Sequence, residues 1–147
     1  AIRDVNLQPN LISQNAPFGS ESSLALTAAI TEMLLQSRDG LIELLPALPE
    51  SWNQGQFDGF TTAEGFQVAA GWSESKLALC MITSTEGGLC QVRMPSKPTV
   101  TIWQEGRAFL EGDLPQALER AFPISYKDGI ASWKTIPGMT YAVIPPT

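Results

Sequence analysis

Phe66 to Met94 reads "FQVAAGWSESKLALCMITSTEGGLCQVRM", and its reading decides the fold. Three short runs rich in aromatic, aliphatic and β-branched residues, "FQVAAGW", "KLALCMITS" and "LCQVRM", are separated by "SES" and "TEGG". Short runs of this composition, bounded by turn residues, predict strands rather than helices. The same punctuation continues outward, with "FDGFTTA" before this stretch and "TVTIWQ", "RAFPISY", "IASWKTI" and "TYAVIP" after it. In "TVTIWQ" and "TYAVIP" apolar side chains alternate with Thr, Gln or Ala, as in a sheet with one buried and one wet face. The expectation is a mostly β fold, an antiparallel β-sandwich, over residues 56–147.

Residues 1–55 follow a different pattern. "LALTAAITEMLL", Leu24 to Leu35, is dense in Ala, Leu and Met, and predicts a helix that is apolar nearly all round. Such a helix wants cover on several sides, as inside a bundle or helical barrel. Ser20, Ser22 and Ser23 offer N-caps, Arg38 would fall in the last turn, and Gly40 in "SRDG" would stop the helix. The following "LIELLPALPESW" carries Pro46 and Pro49, which favour an extended strap laying Leu44, Leu45, Leu48 and Trp52 against an apolar surface.

Composition narrows the chemistry. A chain of 147 residues with 44% hydrophobic and 16% charged residues suits one folded domain. A net charge of −6 with nine Lys and Arg makes nucleic acid and anionic membrane poor partners. With no histidine, Ser-His and Cys-His nucleophile pairs are excluded along with most catalytic zinc sites, so carboxylates are the main acid-base candidates. No cofactor or metal site is indicated. Cys80 and Cys90 flank the turn-rich "STEGG"; two free, buried thiols are the default reading, and a cross-strand bridge is the alternative.

Four tryptophans, Trp52, Trp72, Trp103 and Trp133, could stack on sugars, although sandwich cores bury large aromatics routinely, and Trp103 beside "QEG" is the most open. The acidic residues are scattered and read mostly as solvated surface charge. Glu21 stands apart. It precedes the apolar helix, where a carboxylate either steadies the helix dipole by roughly 0.3 to 1 kcal/mol or is mounted for catalysis.

The runs "PNLISQNAPF", "LTAAITEMLLQSRDGLIELLPALPESW" and "FQVAAGWSESKLALCMITSTEGGLCQVR" together resemble the C-terminal part of glycoside hydrolase family 95, the inverting α-L-fucosidases and their relatives. The resemblance implies that one long buried helix from the end of an (α/α)6 barrel leads into a C-terminal β-sandwich. It also implies a glutamic acid as proton donor and an aspartate as base, two separated carboxyls as inversion requires. The base position falls on Glu21, within "PFGSESS", where Gly19, Ser20 and Ser23 also depart from the family turn. The acid would lie in the upstream barrel, outside this sequence. The expected role is therefore structural support for a fucosidase acting on fucosylated glycans in a secreted or extracellular setting, without catalysis by the chain alone. Self-association through Leu26, Ile30, Met33 and Leu34 would follow from an uncovered helix. The alternative is a noncatalytic carbohydrate-binding module.

Overall fold

The computed structural model describes residues 20–103 and 121–146, with side chains from residue 24 onward. One helix, α1 (Ser20–Leu34), precedes ten strands: β1 (Leu35–Arg38), β2 (Leu41–Leu44), β3 (Gln54–Thr61), β4 (Phe66–Ser73), β5 (Lys76–Ser84), β6 (Gly88–Arg93), β7 (Thr99–Trp103), β8 (Ser125–Lys127), β9 (Ile130–Thr135) and β10 (Thr140–Ile144). They form two five-stranded sheets, ordered β1-β2-β6-β9-β8 and β3-β4-β5-β10-β7. The mostly β fold is thus a sandwich. Its pairings are antiparallel except β2 with β6, which run parallel.

Period two builds the interior. Phe66, Val68, Ala70 and Trp72 alternate inward along β4, while Cys80, Ile82 and Ser84 do so along β5. They join Cys90 and Val92 of β6, Ala131 and Trp133 of β9, and Tyr141 and Val143 of β10 in the buried core. Trp133 and Tyr141, from opposite sheets, lie 5.9 Å apart between ring centres, so the two layers interlock through aromatic bodies. Two hydroxyls that enter this interior are satisfied, since Ser84 and Thr135 share a 2.9 Å bond and Thr135 donates to the Gly88 carbonyl, whereas the buried Trp133 indole N–H finds no acceptor among the described residues.

Three two-residue turns explain the tight hairpins. Asp39 and Gly40 join β1 to β2, Glu74 and Ser75 join β4 to β5, and Asp128 and Gly129 join β8 to β9. Both residues have positive φ in each case, the twist that suits a two-residue hairpin. Glycine relieves the second position twice, but Ser75 holds φ 58° without it.

The helix and strap depart from expectation. α1 ends at Leu34, and Leu35 already opens a strand, so Arg38 lies in β1 rather than in a helical turn. The signal read as a helix stop, "SRDG", is the hairpin turn. Residues 41–44, read as the start of an extended strap, form β2 and join the first sheet beside β6. The rest of the strap then closes the helix: the Leu45 amide donates to the Leu34 carbonyl at 2.8 Å and the Ala47 amide to Met33 at 3.2 Å, occupying C-terminal carbonyls that lack intrahelical partners. Of "RAFPISY", whose Arg120 lies outside the described residues, only Ser125 and Tyr126 enter a strand, β8, beyond Pro123, which has no amide hydrogen for a ladder.

Candidate functional site

The first turn of α1 contains the backbone of Glu21, ahead of the sandwich. Its side chain lies outside the described residues, as do those of the proposed caps Ser20, Ser22 and Ser23. The helix that carries it is not wrapped by the described residues. Leu24 is 67% exposed, Ala25, Thr27, Ala28 and Ala29 are also exposed, and Leu26 and Met33 are half-buried. Ile30 packs against the core and Leu34, 6% exposed, belongs to it. The expected all-round burial is therefore absent within these residues, and Leu34 is unavailable for the self-association face assigned from sequence.

A carboxylate clip fixes the hairpin that follows the helix. Glu64, in the turn between β3 and β4, accepts from the Ser37 hydroxyl at 2.9 Å and from the Gly40 amide at 3.2 Å. The Ser37 hydrogen bond, foremost, holds the Glu64 carboxyl below its ordinary pKa. Sequence reading placed Glu64 among the solvated acids because a contact across 24 residues, from the Gly40 amide, leaves no local pattern. Glu43 was missed for the same reason. It meets Arg93 at 2.5 Å because β2 lies parallel to β6 with these two residues in register.

Charge is distributed unevenly over the two outer faces. On the first sheet, Arg38, Arg93, Lys127 and Lys134 are exposed, with a shallow hollow bounded by Gln36, Arg38, Asp39, Leu41 and Glu43 at one edge. The outward positions across the middle of the second sheet are uncharged, Gln67, Ala69, Met81, Thr83 and Thr140, while Ala142 on the same side is fully buried. Thr83 and Thr140 join by a 2.8 Å hydroxyl bond there.

Both cysteines are free and fully enclosed, on β5 and β6. Burial pushes the Cys90 thiol up to about 12 and the Cys80 thiol higher, with repulsion from Cys90 adding to the latter. Neither is a nucleophile at neutral pH. Of the tryptophans, Trp72 and Trp133 are buried while Trp52 and Trp103 are half-buried. Trp72 donates its indole N–H to the Trp52 carbonyl at 2.8 Å. No group of three or more Cys, Asp or Glu side chains with metal-holding geometry occurs among the described residues. Nor is any helix there long and apolar enough to cross a membrane.

Fold and site together define a two-sheet β-sandwich domain entered through an apolar helix. Residues 36–143 match the family described as glycoside hydrolase family 95, C-terminal domain, and the chain belongs to that family. It is 35% identical over 72 residues to alpha-L-fucosidase 2 of Arabidopsis thaliana, covering 48% of this chain and 8% of that protein. The chain therefore spans under a tenth of that relative's length. Among solved structures, a family 39 glycoside hydrolase from Bacteroides cellulosilyticus WH2 aligns with a TM-score of 0.40 and 13% identity, over 68% of this chain and 18% of that one. Helix α1 and Glu21 lie ahead of the family match.

Proposed function

We propose that this chain is the closing part of an inverting α-L-fucosidase of the secreted or extracellular type, with its helix derived from the catalytic barrel and its sandwich supporting that barrel. The observation that carries the reading is the family match over residues 36–143, preceded by a helix on which the described residues leave Leu24 exposed and Leu26 and Met33 half-buried. Glu21 stands at the position of the family's base. A single carboxylate cannot both protonate the leaving oxygen and activate water from the opposite side of the sugar, so the chain alone performs no hydrolysis. In the parent enzyme the substrate is a fucosylated glycan, and the general acid comes from the barrel.

Alone, the chain associates with itself through Leu24, Leu26 and Met33, since exposed apolar surface of this kind seeks cover. The deciding experiment supplies an aryl α-L-fucoside to the purified chain and to the chain assembled with its upstream barrel. Hydrolysis should appear only in the assembly and should fall at least a hundredfold with Glu21→Gln. Turnover by the isolated chain, or an assembly indifferent to Glu21→Gln, would overturn the corresponding part of the reading. Light scattering checks the association, which Leu26→Glu with Met33→Glu should abolish.

A further inference from the structure

We propose that the outer face of the first sheet binds an acidic polysaccharide. The chain has nine Lys and Arg against 15 Asp and Glu, yet this face reverses the balance. Arg38, Arg93, Lys127 and Lys134 stand on its strands, all exposed, and the acid that shares these outward positions is Glu43, already engaged by Arg93. Asp128 sits in the hairpin turn between β8 and β9, and Asp39, in the turn between β1 and β2, borders the hollow beside Arg38, so cations still outnumber acids here. The second sheet shows no such gathering across its middle, so the cations are segregated and not merely scattered.

Register gives the spacing. Arg93 pairs with Ile130, and Ile130 with Lys127, which puts the two cations two strands apart. At the usual strand separation their backbones are about 10 Å apart. Among the charges the same face carries the amides and hydroxyl of Gln36, Gln91 and Ser132 together with the apolar side chains of Leu41, Leu89 and Ile130. Such a face matches a chain that carries a carboxylate or sulfate only every sugar or two, with hydroxyl groups between that exchange hydrogen bonds with Gln and Ser. A dense polyanion is a poorer fit. Duplex nucleic acid presents a charge about every 1.7 Å along its axis, far closer than the cations on this face.

The choice of a glycan over other sparse anions rests on the carbohydrate reading of the family; the charge argument does not. The test is affinity electrophoresis of the full 147-residue chain at low salt through gels holding polygalacturonate, neutral dextran or a short DNA duplex. Polygalacturonate should retard the protein, rising salt should release it, and Lys127→Glu with Lys134→Glu should weaken retention at least tenfold. Lys76→Glu with Lys97→Glu, off this face, should leave retention unchanged. Should the reversed pair disturb folding, Lys127→Gln with Lys134→Gln carries the same comparison. Absence of retardation, equal retardation by dextran, stronger retardation by DNA, or an indifferent face variant would each overturn the proposal. A failed fucoside assay of the assembled enzyme would leave it standing, so the two failures are distinguishable.

Discussion

The sandwich and the helix that enters it are built on opposite terms. The inward apolar side chains of β4 and β5 share one core with Ile42, Cys90, Val92, Ala131 and Trp133 of the facing sheet, and Phe66, Val68 and Ile82 are sealed from water. α1 touches the rest of the domain mainly through Ile30, Leu34 and the strap amides that close its last carbonyls. One region is stabilised by burial already complete within the chain. The other presents apolar surface whose burial is still to come, and its helical form depends on propensity and one anchored end. The difference teaches where the stability of the isolated chain resides and where an external partner would act.

The sharpest way to break this comparison is to delete apolar bulk from each region in turn. Phe66→Ala should destabilise by about 3–5 kcal/mol, since it removes a sealed aromatic and leaves a cavity. Leu24→Ala should change stability by no more than about 0.5 kcal/mol, because its side chain is already in water. Urea unfolding followed by tryptophan fluorescence measures both. Equal losses would mean that the helix is as integral to the fold as the sheets, and the comparison would fail.

Sequence made the two regions legible to different depths. The later strands were readable because turn punctuation and composition are local: "TYAVIP" announces a strand and β10 lies there, but the wet face expected from its alternation is absent, since Ala142 is as fully buried as Tyr141 and Val143 and the strand is covered on both sides. The glycoside hydrolase family was legible too, from the order of helix, proline strap and Gly-Phe strand. β1 and β2 were hidden because four-residue strands are too short to show a period, and because "LQSR" continues a run of good helix formers. Tertiary pairing of β2 with β6 overrides that local preference, as it does wherever a sheet edge offers a ladder. The charged face was invisible for a related reason: Arg38, Arg93 and Lys134 are far apart in sequence and meet only through strand order. Glu21 was singled out by its place before the helix and by family resemblance, and its side chain lies outside the described residues.

A second substitution sharpens the account of the sandwich by testing close packing where no side chain is removed. Gly55 lies on β3 directly against the ring of Trp72, and a methyl group added there would fall on the indole carbons. Its φ is not in the left-handed region, so space alone demands glycine at this position. The ring cannot swing aside freely, since its N–H is held by the Trp52 carbonyl. Gly55→Ala should therefore cost about 1–3 kcal/mol through overpacking. Pairing it with Trp72→Phe, which shortens the ring, should recover part of the Gly55→Ala loss in a double-mutant cycle. An alanine tolerated without loss would show that β3 shifts outward easily and that this edge of the sandwich is soft.

The smallest expected effect lies at the joint between the two regions, where Glu64 clips the hairpin that follows the helix. Glu64→Ala removes acceptors for the Ser37 hydroxyl and the Gly40 amide. Because the site is open to solvent, screening keeps the loss under about 1 kcal/mol at neutral pH. The pH dependence has a definite sign. Glu64 is held below its ordinary pKa in the folded protein, chiefly by the Ser37 hydroxyl, so its contribution is complete above the ordinary carboxylate value and disappears as pH falls through the lower folded value. Unfolding of wild type and Glu64→Ala should therefore differ at pH 7 and converge as pH falls below the lowered folded value. Hydrogen exchange at the Gly40 amide should quicken in the variant while amides of β4 and β5 stay protected, placing the loosened joint outside the sandwich's cooperative core. A gap that persists unchanged in acid would show that the carboxylate charge contributes nothing to the clip and that the side chain acts there by packing alone.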